Sequence, residues 1–134
     1  MIKVKSNLLK FDKYDRIGNI FPKECIVTMP EFIPVTNFNS AGPDHFEQIG
    51  MVTSHTRDDH GIAIEATINF ESEELLKKLI TEEDIYSGGY YKINKSHKEN
   101  GVTVVDDIEL KSVGLYLSDV FGDKSLKMEV RRDD

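Results

Sequence analysis

A chain of 134 residues with 39% hydrophobic and 31% charged side chains has the composition of one globular domain able to bury a core without disulfides. Its net charge of −7, with Lys and Arg scattered rather than clustered, argues against nucleic acid as a partner, because phosphate binding needs a basic stripe. No apolar run nears the roughly 18 residues that span a bilayer, the opening MIKVKSNLLKF is no signal peptide, and no membrane role is expected. The single cysteine, Cys25, has no partner for an internal disulfide and fits a reducing cytoplasm.

No repeat, low-complexity tract or linker divides the chain, so residues 1–134 are read as a single domain. Turn residues gather at 15–19 and at Pro22, Pro30 and Pro34. Between them, 24–29 and 32–38 read as strands, and 39–43 as a loop. A hairpin follows, with strands at 49–54 and 62–70 around a turn at 56–61. Ile62, Ile64, Ala66, Ile68 and Phe70 carry the period-2 alternation of a half-buried strand. The period then changes. Leu75, Leu76, Leu79 and Ile80 fall at helical spacing, opposite the i,i+4 pairs Glu73/Lys77 and Glu74/Lys78, which predicts one helix over 71–80. Strands return at 89–94, 102–110, 113–117 and 125–130, with turns at 97–101 and 121–123. The expected fold class is α+β: a mainly antiparallel, small barrel-like sheet with one main helix.

Three stretches, in order, resemble the tailed-bacteriophage prohead (capsid maturation) protease family. Residues 11–26, FDKYDRIGNIFPKECI, are similar to its opening strand and turn, with Asn19 where a second aspartate is usual. Residues 33–68 are similar to the strand that ends in the catalytic histidine, the loop after it and the following hairpin. Residues 84–93, DIYSGGYYKI, are similar to the segment that carries the nucleophile. The resemblance implies a serine endopeptidase fold shared with herpesvirus maturation proteases.

The residues that match the family's site are incomplete. Ser87 falls on the nucleophile and Gly89 on the glycine after it, where a tight turn would offer N–H groups to an oxyanion. The bland reading of Ser87-Gly88-Gly89 is a turn between helix and strand. Asn39 stands at the family's histidine position, and an amide is no general base near neutral pH. His45, six residues on, is the nearest replacement base. The third member, an acid, would lie near 109–117, where Lys111-Ser112-Val113-Gly114 stands and Glu109 is only adjacent. A triad without base and acid keeps little of its power, which implies a vestigial site.

Elsewhere, His55 and His60 flank Asp58-Asp59 at a hairpin tip, where polar residues need no metal; His97 sits in a Lys-rich turn with no role beyond solvation. Tyr86, Tyr90 and Tyr91 beside Ser87 suit either a peptide groove or ordinary strand packing. Cys25 reads as a small buried hydrophobe. No metal or cofactor is called for. The expectation is a phage virion or capsid-assembly protein, non-catalytic, binding the capsid or scaffold protein of its phage, with self-association as a further option. It would be found in the virion, and in the host cytoplasm during assembly. The alternatives are an active maturation protease using Ser87 and His45, and a phage regulator that binds a host protein through a sheet edge.

Overall fold

The structure is a computed structural model and describes residues 2–14, 18–37, 47–69, 86–116 and 129–132. Among the described residues nine strands form one sheet: β1 (Ile2–Lys10), β2 (Asn19–Ile20), β3 (Ile26–Thr28), β4 (Pro34–Asn37), β5 (Glu47–Arg57), β6 (Gly61–Ile68), β7 (Tyr86–Glu99), β8 (Val102–Tyr116) and β9 (Glu129–Arg132). The strand order is β2-β8-β4-β5-β6-β1-β9, with β3 and β7 also paired to β8.

β8 organises the sheet. On one edge it carries β7 as an antiparallel hairpin partner. On the other it carries β2, β3 and β4 in succession, all parallel to it, with Asn19 opposite Thr103, Val27 opposite Ile108 and Val35 opposite Val113. β4, β5, β6 and β1 continue antiparallel from there, and β9 pairs with β1. The sheet curls until β1 meets β7: a Cβ built on Gly89 would lie 3.3 Å from Leu8 Cδ1. The result is a half-barrel.

The concave side holds the core. β6 buries Ile62, Ile64, Ala66 and Ile68 in strict alternation, as its pattern predicts. Around them pack two groups: Val4, Val35, Ile49 and Leu115 toward one end, and Leu8, Phe11, Phe21, Ile33, Val105, Ile108, Leu110 and Val113 toward the other. Full burial of each such side chain contributes roughly 1.5–3 kcal/mol. Phe21 meets Tyr91 edge-on, with ring centroids 5.4 Å apart.

The expected α+β class is corrected. Every element among the described residues is a strand, and the sheet mixes parallel with antiparallel pairs. The helix expected over 71–80 lies outside the described residues, and the described architecture is all-β. The missed feature is pairing direction: alternation tells which side of a strand is buried, but nothing about which neighbour it joins. Two boundaries also move. The strands expected at 102–110 and 113–117 are one strand, and the turn expected at 97–101 narrows to Asn100-Gly101, both at positive φ (50° and 81°). That is the backbone of a two-residue hairpin turn. β1 was not foreseen, since its inward row of Val4, Ser6 and Leu8 is interrupted by a buried serine.

Candidate functional site

Ser87 is the second residue of β7, paired with Leu115; Gly88 pairs with Gly114 and Gly89 with Val113. Neither Gly88 nor Gly89 has a positive φ, so the segment is extended strand. The tight turn expected here, whether plain or oxyanion-binding, is replaced by a ladder. Gly89 has a packing reason instead. An added Cβ would stand 3.2 Å from Leu110 Cδ1 and 3.3 Å from Leu8 Cδ1, where β1 closes on β7. A methyl group there would make the Leu110 and Leu8 side chains give by a few tenths of an ångström.

His45 and Asn39, the candidate base and the residue at the family's histidine position, lie outside the described residues. Glu109, the nearest candidate acid, is opposite Lys92, well along the hairpin from Ser87, and its carboxylate pairs with Lys111 at 3.0 Å.

A histidine–carboxylate arrangement does exist, at His97, whose Lys-rich surroundings imply only solvation. His97 Nδ1 lies 2.6 Å from Asp106 Oδ2, and His97 Nε2 lies 3.0 Å from Glu99 Oε1. The hydrogen bond to Asp106, then the one to Glu99, raises the imidazole pKa above its ordinary 6.5. With a carboxylate at each nitrogen, the protonated ring, which can donate to both, is favoured over the neutral one. It has no free nitrogen with which to take a proton from a nucleophile. It is also remote: ten residues of strand at about 3.3 Å each separate Ser87 from His97, roughly 30 Å. The structure does not bring the two together. The hairpin's register made this cluster, and that register depends on a turn at 100–101 that composition placed too broadly.

The remaining candidates have structural roles. Cys25 is 1% exposed, and burial pushes its thiol pKa up to about 11, with the Arg57 charge opposing only part of that rise. Such a thiol is a poor nucleophile. Arg57 itself donates from Nη2 to the carbonyls of Lys23 (2.9 Å) and Cys25 (2.7 Å) and lies 4.8 Å from the Phe11 ring centroid. At the β5–β6 tip, Asp58 Oδ1 accepts from the backbone N–H of His60 and of Gly61, which accounts for that acid next to the histidines. Of the tyrosines, Tyr91 is tied to the core through Phe21, and Tyr90 is exposed. A shallow, open hollow of about 280 Å³ crosses β1, β6 and β5, lined by Asn7, Ser54, Thr56 and the Lys5–Glu65 ion pair at 2.9 Å. Ser6 and His55 line it too, but among the described residues no hydrogen bond joins the His55 ring to a hydroxyl.

No family model, no curated protein and no solved structure matches this chain.

Proposed function

We propose that this chain is a non-catalytic protein-docking component of a bacteriophage virion or its capsid assembly, with the capsid or scaffold protein of the same phage as its partner. The partner class rests on the three ordered stretches that resemble prohead proteases, and it does not borrow that family's α+β fold. The non-catalytic half rests on one observation. Ser87 sits inside a paired strand, opposite Leu115, roughly 30 Å of strand away from the His97–Asp106 pair. Asn39, at the family's histidine position, is no general base, and loss of one triad member already removes most of the catalytic gain.

Intact-mass measurement after exposure to a fluorophosphonate probe, on the native protein and on Ser87→Ala, tests the chemistry. No adduct is expected on either. An adduct present on the native protein and missing from the variant would make this an enzyme. Co-sedimentation with assembled capsid shells tests the partner, with association expected; failure to associate, together with absence from purified virions, would overturn the phage assignment.

A further inference from the structure

The β7–β8 hairpin runs past the body of the half-barrel. Every residue from 92 to 101 is exposed, an unbroken run that includes the whole outer half of β7. Among the described residues, β7 has a ladder only with β8, and β1 approaches it at Gly89, before this exposed run begins. The far edge of β7 beyond residue 91 therefore presents its backbone N–H and C=O groups to solvent.

The charge along that edge is opposite to that of the protein. Lys92, Lys95 and Lys98 stand on it in a chain of net charge −7. The bulge at Asn94 brings two of them to one side: Lys92 is opposite Glu109 and Lys95 opposite Asp107, and those two acids, two apart on β8, share a face. Yet the neighbouring acids are engaged elsewhere. Glu109 pairs with Lys111, Asp106 and Glu99 both hold His97, and Asp107 accepts from Asn94 Nδ2 at 3.3 Å. Among the described residues none of the three lysines makes an ion pair.

We infer that the outer half of β7 is the docking edge of this protein, and that it receives an extended, acidic segment of the partner as an added strand. The inference rests on the docking function proposed above and names its site. Backbone ladder bonds would supply the attachment, and the three lysines, none of them in an ion pair among the described residues, the selection. Lysines on an edge repel basic strands, a second copy of β7 among them, and give a neutral strand no charge attraction, so the same residues that guard the edge make it selective.

Fluorescence anisotropy with three labelled ten-residue peptides tests this: one alternating glutamate with valine, one lysine with valine, one serine with valine. The acidic peptide is expected to bind about tenfold or more tighter than the neutral one, and the preference to weaken as salt is raised. Its binding should slow amide hydrogen exchange at Ile93 to Lys98. In the triple variant Lys92→Glu, Lys95→Glu, Lys98→Glu, whose changes are all on exposed positions, the preference should pass to the basic peptide. Equal binding of the acidic and neutral peptides, or protection away from β7, would overturn the inference. Capsid association separates it from the reading beneath it. If the triple variant still co-sediments with shells as the native protein does, docking stands and this edge is not its site. If the native protein takes the acidic peptide at β7 but ignores shells, the edge stands and the phage partner falls.

Discussion

His97 donates to Asp106 from one ring nitrogen and to Glu99 from the other, so its charged form is favoured in the folded chain over the unfolded one. The contribution of this cluster to stability is complete below pH 6.5 and is lost as pH rises through the raised folded value. An NMR titration of the His97 ring should give a midpoint above that of free histidine. Asp106→Asn should lower it further than Glu99→Gln does; a native midpoint at or below the free value would show that the cluster does not form. Ser112 offers a second test at this scale. Its side chain is buried, and among the described residues its hydroxyl has no hydrogen-bond partner. Ser112→Ala should raise stability by about 1 kcal/mol in urea unfolding, because it removes a desolvated polar group and almost no volume. Neither residue drew attention in the sequence. A histidine among lysines and a serine beside a lysine are ordinary surface composition, and only cross-strand register shows that one is clamped and the other enclosed.

Elements were legible where the ladder is regular and obscure where it is bulged. β6 keeps strict alternation and was read correctly to within two residues at its end. β8 carries extra residues at Asp106 and Lys111, and the second of these broke one fifteen-residue strand into two apparent ones. The same effect shortened β7. Ser87-Gly88-Gly89 is deceptive for a related reason: glycine signals a turn far more often than a strand position packed tightly against side chains, as Gly89 is against Leu110 and Leu8. Gly50 in β5 is the sharper case. A Cβ there would stand 2.1 Å from the Thr67 carbonyl oxygen on β6, backbone against backbone. Gly50→Ala should therefore cost roughly 2–4 kcal/mol by thermal or urea unfolding. Gly101→Ala, with open space around it but a φ of 81°, should cost only about 1–2 kcal/mol. Equal costs would mean that strand approach at Gly50 is not the constraint described.

At the level of the whole molecule, the sheet is held by ties between segments distant in sequence, and these were the least legible. Arg57, at the end of β5, joins the 23–25 segment through two carbonyls and caps Phe11 from above. Arg57→Ala should lower stability by about 2–3 kcal/mol, and Arg57→Lys should recover less than half of that, since an ammonium keeps the charge but loses the flat guanidinium stacked on the Phe11 ring. The hydrophobic pattern said that Ile26, Val27 and Val35 belong to strands. It said nothing of their lying parallel to β8, because parallel neighbours need no turn between them and leave no local mark.

The placement of β8 bears on how the chain reaches its native state. Asn19 must wait for Thr103, Val27 for Ile108 and Val35 for Val113, and β1 is flanked on its outer side only when β9 arrives. The β4–β5, β5–β6 and β7–β8 pairs close locally, but β2 and β3 have nothing to pair with until β8 exists. Folding is thus governed by loop closure over long stretches, the regime of milliseconds to seconds rather than microseconds. On the ribosome β1 and β4 can pair once residue 68 has emerged, whereas β2 and β3 stay unpaired, open to any complementary edge, until β8 has been synthesised.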